Sequence, residues 1–166
     1  MSTQPTIDEL LVAAGPDAWR AAGFDVQDDL CVVGTVRLRL EGAERGRGIV
    51  GWTVRGAGFE LRREREGPTP GGSQRQSFFR MGEVILEVIQ APPGTRIADD
   101  PEGPARLWGI SFLVEGLEQA AASLGDLLGE PRAAVQPGRR IATVRKEAGL
   151  GPAIAFMTPG PGAIPV

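Results

Sequence analysis

Histidine and tyrosine are absent from this chain, and cysteine occurs once, as Cys31. Without an imidazole there is no Ser-His-Asp or Cys-His device, no histidine proton shuttle and no histidine-ligated zinc or iron centre, since each needs a nitrogen that titrates near neutrality or donates a lone pair. Acid and base work is left to Asp, Glu, Cys31 and Lys146. A single cysteine also excludes an internal disulfide and any multi-cysteine metal site. Lys146 is the one lysine among 18 basic residues, and with 24 glycines and 14 prolines this reads as compositional bias rather than a functional sign. No apolar run approaches a membrane span, and the opening MSTQPTIDEL has no signal-peptide core, so a cytoplasmic location and no membrane partner are expected. The net charge of -3 gives no electrostatic reason to expect nucleic acid.

What is present suits a folded domain. At 166 residues, 42% hydrophobic and 23% charged, the chain fits one domain or two small modules sharing a core. TIDELLVA (6–13) is a short strand candidate, followed by Gly15-Pro16-Asp17, which can turn the chain into a helix through Ala18 to Ala22 that Gly23 stops. CVVGTVRLRL (31–40) alternates as one half-buried strand should, with Val33, Thr35, Arg37 and Arg39 on one face. IVGWTVR (49–55) is a further strand, whereas residues 60–76 lose all periodicity and read as a long mobile loop. Its RREREG run is a lid, a partner-binding segment or a merely solvated stretch. SFFRMGEVILEVIQ (77–90) reads as two strand segments about Gly82, and a connector rich in Pro, Gly and Asp follows at 91–104.

Beyond that connector, RLWGISFLV (106–114) is a buried-strand run, and GLEQAAASLGDLLG (116–129) places Leu117, Ala120, Ala121, Leu124, Leu127 and Leu128 on one helical face. Strands are expected at 132–136, 139–145 and 153–158, with a tail at 159–166. The order of elements in the first half, from TIDELLVA to ILEVIQAPPG, repeats in the second, from LWGISFLV to AIAFMTPGPG.

On these segments the chain resembles the vicinal oxygen chelate superfamily, the glyoxalase and bleomycin-resistance-like proteins. The strongest elements are LWGISFLVEGLEQAAASLGDLLGEP, GRRIATVR and GEVILEVIQAP, and the likeness runs from about Ile7 to Thr158. The resemblance implies an α+β fold of two tandem βαβββ modules, here 6–94 and 105–158, whose curved mixed sheets form a cup for a small molecule. In metal-dependent relatives the ligands come from the first and last strands of the modules. Those positions fall here on Glu9 (or Asp8) and Gly109, and on Glu87 and Ala155. Two of the four could ligate, so the resemblance implies no cofactor, with an oxygen-preferring Mg²⁺ or Mn²⁺ as the alternative.

The residues themselves make Glu87 a question. On a strand it shares a face with Ile85 and Ile89, and an ionised carboxylate among apolar neighbours must be paired, protonated, cation-bound or solvated. Arg80, Arg139 and Arg140 are candidate partners; a general base or ligand-binding group is the alternative. Trp52 and Trp108 wall a pocket or fill the core. Arg139 and Arg140 lie on opposite strand faces, so one can offer its fork to an anionic ligand. Cys31, without an activating base, is expected to be a small buried side chain.

Three functional readings follow. The first is a metal-free protein binding a small organic molecule through Glu9, Glu87, Trp52, Arg80, Trp108, Arg139 and Arg140. The second is an isomerase or lyase with Glu87 as base. The third is an interaction module acting through a homodimer.

Overall fold

The computed structural model describes residues 4–56, 61–69, 72–90, 92 and 105–160. Strand β1 (Thr6–Ala13) leads into helix α1 (Pro16–Ala21), where Pro16 supplies the pre-set φ of a first helical position and Asp17 lies in the first turn. Gly23, at φ 91°, ends it. Strands β2 (Val26–Gln27), β3 (Leu30–Val33) and β4 (Val36–Leu40) follow. The segment expected as one strand over 31–40 is therefore a hairpin. Gly34 takes φ 58° and forms a two-residue turn with Thr35, so that Val33 pairs with Val36. Val32, opposite Arg37, now shares a face with Arg37 and Arg39, while Val33 sits with Val36 and Leu38.

Strand β4 pairs antiparallel with β3 and parallel with β1, with Glu9 beside Arg37 and Leu10 beside Leu38. The βαβββ order is thus complete at Leu40. Strand β5 (Gly48–Arg55) adds to the far side of β1, giving a five-stranded sheet of order β2-β3-β4-β1-β5. One face of this sheet buries Leu10, Val12, Cys31, Val36, Leu38 and Leu40.

Residues 60–76, expected as a loop, mostly form strands instead. Strand β6 (Leu61–Thr69) pairs antiparallel with β7 (Gly72–Met81), and β7 with β8 (Val84–Gln90), in a three-stranded meander. The charges of LRREREGPT occupy consecutive positions, so no apolar alternation announced a strand whose pairing rests on the backbone ladder. Residues 60, 70 and 71 lie outside the described residues. Gly82 does divide the next two strands: at φ 65° it turns with Glu83 so that Met81 pairs with Val84.

After the connector, of which only Pro92 and positions 105 onward are described, come β9 (Gly109–Leu113) and α2 (Glu118–Leu124). The helix is shorter than 116–129 because Gly125, at φ 50°, passes the chain into a single 3₁₀ turn. Strands β10 (Arg132–Ala133), β11 (Arg140–Thr143) and β12 (Ala153–Met157) complete a sheet of order β10-β11-β12-β9, with β12 parallel to β9. Of the tail, 161–166 lie outside the described residues.

The chain is α+β and contains two βαβββ modules of the same topology, β2-β3-β4-β1 and β10-β11-β12-β9. The first closes at β4 rather than at ILEVIQ, so its extent is 6–40 rather than 6–94. Two compact units result: Met1–Asp8 with Thr53–Arg106, and Glu9–Trp52 with Leu107–Val166. Met81 and Ile7 are buried in the former. The latter is built on an aromatic cluster. Trp19 of α1 lies 4.7 Å from Phe24 and edge-on to Phe112 at 6.3 Å, and Phe24 stacks on Phe156 at 6.0 Å. The Trp19 indole N–H donates to the Leu150 carbonyl at 3.2 Å, so the fully buried ring leaves no polar atom unpaired.

Candidate functional site

Each βαβββ sheet has one face in the core and one open face, and the open faces carry the polar chemistry. On the first sheet, Glu9 and Leu11 of β1 stand beside Arg37 and Arg39 of β4. Glu9 is largely covered, and one oxygen, Oε1, accepts from Arg37 Nε at 3.4 Å and Arg39 Nη2 at 3.2 Å. Arg39 also reaches Asp29 at 3.4 Å through Nη1. The Glu9 charge, then its hydrogen bond, raises the Arg39 guanidinium above its ordinary value, with Asp29 contributing less. Asp8, the neighbouring candidate, is engaged as well: Arg55 Nη2 lies 2.5 Å from one oxygen and the Thr6 hydroxyl donates to the other at 3.0 Å.

The second sheet differs. A Cβ on Gly109 would lie 2.5 Å from the Ala153 carbonyl oxygen and 3.0 Å from the Ala153 Cβ, so the parallel strands β9 and β12 approach too closely there for any side chain. Ser111 and Ala155 pair one step along, and Leu113 with Met157 one step further. Met157 in turn pairs with Ile141, and Ile141 with Arg132, so four side chains cross the open face in one row. Arg139 precedes this row and its Nη1 lies 3.7 Å from the Met157 sulfur. Arg140, on the opposite parity, is exposed, and its backbone N–H donates to the Thr158 hydroxyl.

Glu87 lies on β8, exposed, and accepts a hydrogen bond from Gln76, a neighbour on β7. Arg80, a candidate partner on β7, donates to the Gly82 carbonyl at 3.2 Å. The correspondence of Glu87 with Ala155 gives way. Ala155 lies on the strand parallel to β9, and the equivalent strand of the first module is β4, which places Arg37 and Arg39 where ILEVIQ was expected.

Neither Trp52, 41% exposed, nor Trp108, 64% exposed, is a core residue; the core tryptophan is Trp19. Cys31 is buried as expected, and burial first, then the Asp25 charge, pushes its thiol above the ordinary 9.0, which keeps it protonated and unreactive near neutrality. Sequence reasoning passed over Arg37, Arg39 and the Leu113–Met157–Ile141 row. The alternation of 31–40 could have flagged the two arginines; cross-strand adjacency in the second sheet has no signature along the chain.

The alternative of an oxygen-preferring Mg²⁺ or Mn²⁺ can be set against these donors, and they do not fit it. The Glu9 oxygen in use is shared by two guanidiniums, and the Gly109 and Ala155 positions carry no ligating side chain. Among the described residues no group of three or more Asp, Glu or Cys side chains gathers to hold a metal.

No protein-family model matches the chain, and no curated protein matches it. Solved structures do. A glyoxalase family protein from Enterococcus faecalis is 21% identical, covering 60% of this chain and 78% of its own, at a TM-score of 0.28. A hypothetical protein from Bacillus halodurans is 14% identical over 98% of this chain and all of its own, at a TM-score of 0.46. The α+β fold class rests on the two mixed βαβββ sheets themselves, which agree with the tandem βαβββ modules that the resemblance implied.

Proposed function

We propose that this protein binds a small organic molecule on the open face of a βαβββ sheet, without a metal ion and without chemistry on the ligand. The observation that carries this reading is the state of Glu9. A carboxylate that accepts from two arginines has its charge already compensated, and a cation arriving there would have to displace both guanidiniums. What is left for recognition is guanidinium forks and apolar rows, which suit an organic ligand rather than an ion.

The test has two arms. Protein purified without chelators is expected to carry no stoichiometric metal on elemental analysis; a full equivalent of Mn²⁺ or Mg²⁺ would overturn the metal-free reading. A thermal-shift screen of small organic molecules is expected to yield stabilising ligands, because binding to the folded state alone raises the melting temperature. A screen with no stabilising compound defeats the binding reading.

The interaction-module reading has one observation in its favour. Ile85 and Val88, on opposite faces of β8, are 47% and 48% exposed, and such apolar strand surface pairs readily with another chain. A sedimentation experiment showing a dimer that Val88→Lys dissociates would support it.

A further inference from the structure

The open face of the second sheet has the chemistry of one ligand class. Leu113, 64% exposed, stands beside Met157 and Ile141, both half-buried, in a continuous apolar row. In the next row toward Gly109, Ala155 stands between Ser111 and Thr143, a row of smaller side chains beside the Leu113–Met157–Ile141 row. At the other end stands Arg139. Arg139 is half-buried, and the one hydrogen-bond contact of its side chain among the described residues is the Met157 thioether, a weak acceptor. Arg132 closes the row beyond Ile141. No strand position on this face carries a carboxylate, in contrast to the first sheet, where Glu9 and Asp29 occupy the arginines.

We infer that this face binds a small molecule with an apolar body and a carboxylate end, the carboxylate on Arg139 and the body over Met157 and Ala155. The inference rests on the small-molecule reading above and adds the site and the class. The Arg139 guanidinium already lies against the Met157 sulfur, and the Ala155 row is two residues, about 7 Å, further along β12, so an acid with an apolar body of that length or more reaches it. A guanidinium with no acidic partner among the described residues is the fork that a carboxylate satisfies bidentately. The sulfur beside it is apolar enough to leave that demand unmet.

The test is calorimetric titration of the full chain with octanoate and with octanamide, its uncharged analogue. Wild type is expected to bind octanoate at least about tenfold more tightly than octanamide, the difference that one charge-assisted pair supplies. Arg139→Gln should abolish that preference, Arg139→Lys should restore part of it, and Ala155→Leu should weaken both ligands by crowding that row of smaller side chains. Each variant is checked for an unchanged melting temperature without ligand. Equal affinity of wild type and Arg139→Gln for octanoate, or no octanoate binding at all, overturns the inference. If the thermal-shift screen yields neutral or cationic ligands while octanoate fails, the class is wrong and the small-molecule reading stands. If it yields none, both fall.

Discussion

At the residue scale, the sequence raised a question about a carboxylate, and the structure moves that question from Glu87 to Glu9. Glu87 is exposed and bonded to Gln76; Glu9 is the covered carboxylate held between Arg37 and Arg39. Replacing Glu9 by Gln leaves two neighbouring guanidiniums without their shared counter-charge. Because both arginines are substantially exposed, solvent screens the loss, and Glu9→Gln is expected to cost about 1 kcal/mol in urea denaturation, shrinking in high salt. Cys31 gives a second residue-scale expectation with a defined sign. Its thiol is raised in the folded state, so the fold binds the proton more tightly than the unfolded chain does. That contribution is fully present below the ordinary value of 9.0 and is lost as pH rises through the folded value. Stability should therefore fall above about pH 9, and Cys31→Ala should remove that part of the fall; denaturation midpoints across pH 7 to 11 check it.

At the element scale, most strands were legible because alternation and glycine punctuation survive in the sequence, and the errors have physical causes. The Gly34-Thr35 turn pairs Val33 with Val36 and so exchanges the faces of the residues before it, but it is too short to break the run of β-branched and apolar residues, and VVGTVRLRL reads as one strand. The meander of β6 and β7 went unseen because its first strand carries consecutive charges, and the ladder leaves no mark on composition. That hairpin error displaced the end of the first module from Leu40 to ILEVIQ, and with it the assignment of Glu87 as a last-strand position. The candidate face of the second sheet was half legible. Arg139 was named as an anion fork, but its row with Met157 and Leu113 depends on register across three strands. Register also makes Gly109 indispensable. Gly109→Ala would press a methyl group to 2.5 Å from the Ala153 carbonyl oxygen, backbone that can yield only by parting β9 from β12. A loss of about 2 kcal/mol is expected from such overpacking, read from the urea midpoint, whereas Ala155→Ser on the open face should be close to neutral.

At the scale of the whole molecule, the sequential halves are not the compact units. The core of the larger unit joins α1 and β1 to β9 and β12 across the intervening meander, so its contacts are of high sequence separation. Trp19 is where that joining is concentrated. It comes from a six-residue helix too short to hold by itself, meets Phe24 and Phe112, and donates to Leu150 from the far end of the chain. Nothing in PDAWRAA distinguishes it as a core anchor, since its neighbours Phe112 and Leu150 are distant in sequence. Trp19→Ala removes a fully buried ring whose neighbours come from both modules, so the void cannot close by local repacking. The expected loss is about 3 to 5 kcal/mol, comparable to the total stability of many small domains, and near-UV circular dichroism from the aromatic cluster should collapse with it. Trp19→Phe keeps most of the volume but deletes the indole donor, leaving the Leu150 carbonyl without it. Its cost should be about 1 to 3 kcal/mol, with the near-UV signal altered but retained. A Trp19→Ala protein as stable as wild type would mean that the two modules hold together through contacts other than this cluster.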